Sequence, residues 1–99
     1  LGLRPLARNY RSPRGEIDLI MQHGKTIAFI EVRYRKNDHY LAPLETISPQ
    51  KCRRIIATSG YYLQSNREAA KNACRFDVVT VSGDPAAPDI LWIKNAFQA

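Results

Sequence analysis

Apolar and β-branched residues recur along the chain in short runs that predict five strands and one helix. The predicted strands cover residues 6–11, 16–21, 26–34, 75–81 and 90–93. The second and third runs flank turn residues at positions 23–25 and therefore predict a β-hairpin. The predicted order, β-β-β-α-β-β, is typical of an α/β domain with a mixed sheet.

The helix is predicted to begin after residues 36–47, which have the composition of a loop, where Ser48 supplies a cap and Pro49 the first helical position. Its apolar face repeats every three or four residues. The members of that face are Cys52, Ile55, Ile56, Ser59, Tyr62 and Leu63. Three cations in the first turn, Lys51, Arg53 and Arg54, oppose the helix dipole. These charges are not placed to stabilise the helix, so we expect them to serve another purpose.

The chain is basic, with 15 Lys and Arg against 9 Asp and Glu, a net charge of +6 and a pI near 9.7. Residues 1–54 carry 11 of the basic and 5 of the acidic side chains, so the whole excess lies in the first half. Ten of the cations are arginines, whose forked guanidinium suits phosphate. This balance favours a nucleic-acid partner. The predicted phosphate contacts are Arg4, Arg8, Arg11, Arg14, Arg35, Lys36, Arg53 and Arg54.

With 99 residues, the chain has the length of a single domain over positions 1–99 and is too short for a multidomain enzyme. Its longest apolar run, residues 27–30, is far shorter than a membrane-spanning helix, so no membrane partner is expected. Its two cysteines form no disulfide framework or zinc-ligand spacing, which fits a cytoplasmic protein. Because the chain begins at Leu1, we expect that some of the natural N-terminus is missing.

Four charged residues interrupt the two apolar strands of the predicted hairpin. Glu16 and Asp18 are two positions apart on one strand, and Glu31 and Arg33 are two apart on the next, so each pair shares a face. A two-residue loop places all four side chains on one face, whereas a three-residue loop separates the pairs. The turn therefore decides whether the carboxylates meet.

Two registers bring the pairs together. With a loop of residues 24–25, Asp18 lies opposite Glu31; with a loop of residues 23–24, Glu16 lies opposite Glu31 and Asp18 becomes the diagonal neighbour. Opposed Cβ atoms are about 5 Å apart and diagonal ones about 7–8 Å apart. Carboxylates at that distance repel each other unless something neutralises them.

Two arrangements would neutralise this cluster. A divalent cation such as Mg²⁺ binds one or two carboxylates, water and a substrate phosphate, and it activates water towards phosphodiesters. Ordinary ion pairs are the alternative, with Glu16 paired to Arg33 and Asp18 paired to Arg35 or Lys25. The spacing leaves both arrangements open.

Five motifs follow one another along the chain: Arg8-Asn9-Tyr10-Arg11, Gly15-Glu16-Ile17-Asp18-Leu19-Ile20, Phe29-Ile30-Glu31-Val32, Arg75-Phe76-Asp77-Val78-Val79 and Asn95-Ala96-Phe97. In this order they resemble the bacterial YraN family, which is largely uncharacterised and similar to Holliday-junction resolvases and PD-(D/E)xK nucleases. The resemblance implies an α/β, restriction-endonuclease-like fold: a mixed central sheet flanked by helices. It also implies a further helix before the point where this chain begins.

The resemblance also assigns roles to residues. Asp18 matches the metal-binding aspartate and Glu31 the acidic residue of the (D/E)xK tripeptide, with Glu16 as an additional ligand of Mg²⁺ or Mn²⁺. Arg33 stands where the family usually has lysine; it can stabilise developing charge, but it does not readily exchange a proton with water. Lys51, in the first turn of the predicted helix, is the candidate replacement, and a solvated surface lysine is the alternative reading.

The resemblance therefore implies a metal-dependent endonuclease that acts on structured or branched DNA, with a homodimer as a further expectation. A nucleic-acid-binding module that has lost turnover is the alternative, and a protein-interaction domain is a third. Arg75 and Asp77 are interpreted as residues that hold the sheet, and Trp92 as at least partly buried. His23 and His39 are expected to be exposed to solvent.

Overall fold

The computed structural model describes residues 2–35 and 47–99, apart from the side chain of Arg35. The described residues form β1 (Leu3–Ser12), β2 (Gly15–His23), β3 (Thr26–Arg35), α1 (Pro49–Ser65), a 3-10 turn (Ala69–Lys71), β4 (Ala73–Ser82) and β5 (Asp89–Phe97). The strands make a sheet in the order β1-β2-β3-β4-β5, with β3 and β4 parallel and the other neighbours antiparallel. The predicted α/β class, mixed sheet and element order are confirmed.

The β2–β3 turn uses the first of the two predicted registers. His23 pairs with Thr26, so the loop is Gly24-Lys25, and Gly24 has a φ of 62° that glycine adopts without strain. Pairing continues from there to Leu19 and Ile30. Beyond that pair the two strands part, which opens a notch in the sheet beside Asp18.

The regular alternation of β2 shifts by one residue at this notch. Ile17 pairs with Tyr10, whose ring packs edge-on against Tyr62 of α1, so Ile17 faces the helix. Ile20 pairs with Phe29, which also packs against Tyr62, so Ile20 faces the helix too. Glu16 therefore lies on the side away from the helix and Glu31, which alternates with Phe29, on the helix side, so the predicted single face for all four charged side chains does not hold. The shift lies beside Asn9 of β1, which has a φ of 51°.

The helix α1 begins where the sequence predicts, because the Ser48 hydroxyl accepts a hydrogen bond from the Lys51 N–H at 3.1 Å. It packs mainly on β2, with Ile55 and Tyr62 buried in the core. Thr58, outside the predicted apolar face, is also buried and bonds the Ser12 hydroxyl at 2.9 Å. This contact sets the middle of α1 beside the β1–β2 turn.

The opposite face of the sheet, here called the open face, carries the alternate side chains of β3 and β4. Val32 pairs with Val79, and Tyr34 pairs with Val81. Within the described ranges, α1 packs against β1 and β2 and no helix packs on the open face.

Candidate active site

Asp18 lies at the notch between β2 and β3. Its Oδ2 accepts a hydrogen bond from the Val32 N–H at 2.8 Å, where a regular hairpin would have a backbone partner. The Asp18 side chain thus takes the place of a backbone carbonyl as the hydrogen-bond acceptor where the two strands separate. This contact holds one carboxylate oxygen in the plane of the sheet and points the group towards β3.

Glu31 lies on the helix side of β3, because it alternates with Phe29 of the core. Only 3% of its surface is exposed. Its Oε2 lies 2.9 Å from Lys51 Nζ and 3.4 Å from Arg33 Nη1. The cap at Ser48 places Lys51 in the first turn of α1, which lies over this carboxylate. The structure therefore brings Lys51 to Glu31, while 42% of the lysine side chain stays exposed to solvent.

The surroundings of Glu31 raise its pKa above the ordinary value of 4.5. Burial is the largest cause, and the negative charge of Asp18 and a hydrogen bond between the two carboxyl groups act in the same direction. The bond from Lys51 opposes them without cancelling them. The rise therefore reflects mainly the burial of this carboxyl group, which keeps Lys51 and Arg33 close to its Oε2.

This pKa shift predicts how stability depends on pH. A raised pKa means that the folded chain binds the Glu31 proton more tightly than the unfolded chain does, so stability falls as pH rises above 4.5 and through the raised pKa. Glu31→Gln mimics the protonated form. In EDTA, we expect the Tm of this variant minus that of the wild type to increase between about pH 4 and about pH 8. A difference that decreased with pH would contradict the assigned direction.

Glu16 lies away from this pair. Since Ile17 faces α1, alternation turns Glu16 to the other side, where its carboxylate lies 3.7 Å from Arg11. Across residues 2–35 and 47–99 no three His, Cys, Asp or Glu residues come together as a metal cluster. Asp18 and Glu31 are two neighbouring carboxylates, which fits Mg²⁺ or Mn²⁺ completed by water and phosphate. The role of Glu16 as a third ligand stays a prediction.

Five predicted phosphate contacts are exposed: Arg8, Arg11, Arg14, Arg53 and Arg54. Of these, Arg8 lines a cavity together with Asp18. The β1–β2 turn touches α1, since a Cβ on Gly15 would lie 3.2 Å from that of Arg54. Arg4 lies at the other end of the strands, bonded to Gln22 at 2.7 Å. Lys36, His39 and the side chain of Arg35 lie outside the described residues.

A second buried carboxylate, Asp77, belongs to a separate network on the open face. It has no exposed surface and accepts hydrogen bonds from Arg75 Nε at 3.0 and 3.1 Å, Trp92 Nε1 at 2.9 Å and the Asn95 N–H at 2.9 Å. Arg75 also contacts His23 Nδ1 at 3.1 Å, so His23 is engaged with a partner rather than free in solvent. This geometry agrees with the interpretation of Arg75 and Asp77 as residues that hold the sheet.

Sequence reasoning missed a cavity on the open face beside Asp18. It has a volume of about 360 Å³ and is lined by Arg8, Asn9, Asp18, Leu19, Val32 and Tyr34. Tyr34 is 81% exposed, the largest exposed fraction among the large hydrophobic residues of the described chain. Its position two residues after Val32 indicates that the two side chains share a face of the sheet. The sequence pattern does not show that no helix of the described residues packs on this face.

In the described part of the chain, no helix has the length and apolar character needed to cross a membrane.

A model of the uncharacterised protein family UPF0102 matches residues 1–81 of the chain. A UPF0102 protein of Methylococcus capsulatus is 46% identical over 98 residues, which cover 99% of this chain and 78% of that protein. One of Coxiella burnetii is 44% identical over 97 residues, which cover 98% of this chain and 78% of that protein. The names of these relatives state no activity.

Among solved structures, the chain is similar to SfsA of Pyrococcus furiosus in complex with Ca²⁺, with a TM-score of 0.41 and 12% sequence identity. The match covers 94% of this chain and 54% of SfsA, so this chain spans about half the length of that protein.

Proposed function

We propose that this chain, which belongs to the uncharacterised protein family UPF0102, is a divalent-metal-dependent endonuclease that hydrolyses phosphodiester bonds in structured or branched DNA. Family membership confirms the resemblance to the YraN family drawn from the five motifs. A restriction-endonuclease-like version of the α/β fold and a cytoplasmic location are parts of the proposal.

One contact supports the proposal most strongly: the 2.9 Å bond between Lys51 Nζ and Oε2 of the buried Glu31. The tripeptide at residues 31–33 ends in arginine where a nuclease of this type usually has lysine. Lys51 brings an ammonium group from the helix to the carboxylate that the missing lysine would accompany. The site therefore holds an aspartate, a glutamate and a lysine, although they come from three different elements.

Each of these residues has a different role in phosphodiester hydrolysis. Asp18 and Glu31 would hold the metal ion, which when bound polarises the phosphate and lowers the pKa of a water ligand. Lys51 holds the Glu31 carboxylate in place and carries a positive charge towards the phosphate oxygens, on which negative charge develops. Arg33, close to the same carboxylate, adds charge stabilisation but keeps its proton.

The exposed arginines supply the contacts to the nucleic-acid backbone. Those on β1, the β1–β2 turn and α1 are exposed, and a phosphate backbone that they bind would pass by Asp18 and Glu31. Contacts of this kind position a strand without reading its sequence. A two-fold dimer would present two such sites to the two strands of a junction, and we include it in the proposal.

The proposal is tested by incubating the protein with a labelled four-way junction, a duplex and a single strand in Mg²⁺, Mn²⁺ or EDTA. We expect cleavage that requires metal and is fastest on the junction. Lys51→Met is expected to lower the single-turnover rate by about a hundredfold, the cost of losing one charge-stabilising group. Glu68→Gln, on an exposed glutamate distant from the site, is the control. Equal rates for Lys51→Met and the wild type would contradict the role of Lys51.

A nucleic-acid-binding module without turnover is the second candidate, and the arginine at position 33 favours it. This module would bind through the same basic surface, and its affinity would fall steeply with salt. Binding without cleavage in either metal, on every substrate, would establish this function in place of the nuclease. Cleavage restored by Arg33→Lys would instead assign the missing turnover to that one substitution.

A further inference from the structure

We propose that the cavity on the open face is a binding site for an unpaired nucleotide beside the scissile phosphate, with its base stacked on the Tyr34 ring and its phosphate bound by Arg8. The inference rests on the proposed function and specifies what distinguishes a branched substrate from a duplex. Apart from Asp18, it uses residues that the hydrolytic step does not.

The side chains that line the cavity suit the base and the phosphate of a nucleotide. Tyr34 presents an aromatic face that is almost fully exposed, and Leu19 and Val32 form an apolar surface next to it. Base stacking on an exposed aromatic ring is the usual way in which proteins hold single-stranded nucleic acid. Arg8 supplies a cation for the phosphate, and Asn9 an amide for the polar edge of a base. A volume of about 360 Å³ lies within the range of small-ligand sites.

The cavity is continuous with the acidic pair through Asp18. This residue lines the cavity, and its Oδ2 accepts the hydrogen bond from Val32, another lining residue. Val32 directly follows Glu31 on β3, so the same carboxyl group also lies beside Glu31. A nucleotide in the cavity therefore places its phosphate at the notch between β2 and β3, where the metal ligands lie.

The position of Arg8 agrees with this orientation. Arg8 is exposed on β1 and pairs in register with Leu19, directly next to Asp18. Its guanidinium can thus bind the phosphate on one side of the notch while Lys51 lies on the helix side. The two cations thus lie on the two sides of the sheet next to the notch.

This site discriminates between paired and unpaired bases. A base inside a duplex is stacked on both faces, so it reaches Tyr34 only after it leaves the stack, which costs a few kcal/mol. Bases at a junction, an end or a single-stranded segment are already free to stack. The site therefore favours branched and single-stranded substrates without recognising a sequence.

The test compares Tyr34→Leu and Tyr34→Phe by fluorescence anisotropy in EDTA, with a labelled single strand, a four-way junction and a blunt duplex. Tyr34→Leu is expected to weaken single-strand and junction binding about tenfold and duplex binding less than about twofold, because it removes one stacked base. Tyr34→Phe keeps the ring and is expected to bind like the wild type. Arg8→Gln is expected to weaken binding and reduce the salt slope by about one.

The proposal is overturned if Tyr34→Leu binds all three substrates as the wild type does, or weakens all three equally. It is also overturned if the variant changes the sedimentation of the free protein and not its single-strand affinity, since Tyr34 would then belong to a protein interface. Because these measurements involve no cleavage, they are independent of turnover. If the protein cleaves but Tyr34→Leu has no effect on binding, only the nucleotide site in the cavity is contradicted. If Tyr34→Leu weakens binding as expected but the protein does not cleave, only the proposed nuclease activity is contradicted.

Discussion

Glu31→Gln is expected to lower the single-turnover rate of metal-dependent cleavage by about a thousandfold or more, because a divalent metal contributes several kcal/mol to phosphodiester hydrolysis. Glutamine has the size of glutamate and stays within reach of Lys51, but it carries no charge for a metal ion. The substitution also removes a carboxylate whose pKa is raised by burial, so the fold keeps its stability at neutral pH. The loss therefore concerns the site and not the fold.

The measurement follows cleavage of the labelled junction with enzyme in excess, alongside binding of the same junction in EDTA. Binding is expected to stay within about threefold of the wild type or to strengthen, because the exposed arginines are unchanged and one negative charge is gone. Glu68→Gln serves as the matched control on an exposed glutamate. Cleavage by Glu31→Gln at the wild-type rate would show that Glu31 holds no metal and that the acidic pair is a structural feature of the sheet.

Asp77→Ala is expected to destabilise the protein by about 3–5 kcal/mol, the usual cost of removing one partner from a buried ion pair. The substitution leaves the Arg75 guanidinium, the Trp92 N–H and the Asn95 N–H without the carboxylate that accepts their hydrogen bonds. These donors come from β4 and β5, so their loss loosens the pairing between the two strands. The region around the bulge between Phe76 and Val78 is the part of β4 most affected.

Chemical and thermal unfolding measure this effect. For a domain of this length, each kcal/mol lowers the Tm by about 4–8 °C, so we expect a fall of more than about 12 °C. Glu68→Ala, whose partner Lys71 lies with it on the surface, is the control and is expected to change stability by less than about 0.5 kcal/mol. An unchanged Tm together with lost cleavage would show that Asp77 acts in the active site and does not stabilise the sheet.

The sequence predicted the elements and included the observed hairpin register among its alternatives, because both depend on residues that are close together along the chain. Gly24 adopts a positive φ at no cost, and this selects a two-residue loop that places His23 opposite Thr26. Ser48 and Pro49 determine where the helix begins through one local hydrogen bond. Period-2 and period-3.6 patterns in turn identify the faces that are buried.

The same local reasoning failed where β2 stops alternating. The hairpin pattern predicts one face for all four charged side chains, but the strand shifts by one residue between Ile17 and Ile20, and Glu16 and Glu31 lie on opposite sides of the sheet. That shift accompanies the left-handed conformation of Asn9 on the neighbouring strand. Such an irregularity belongs to the pairing of two strands, so neither strand's own sequence reveals it.

The sequence by itself determined which groups are available: a hairpin with carboxylates at positions 18 and 31, a basic first half and a helix that starts with Lys51 in its first turn. The tertiary structure decided which of them meet. Packing of α1 on β2 brings Lys51 to Glu31 across twenty positions of the chain, and Tyr34 lies exposed beside Asp18 on a sheet face that no helix of the described residues covers. Spacing along a chain specifies neighbours within one element, whereas contacts between elements depend on how buried surfaces pack together.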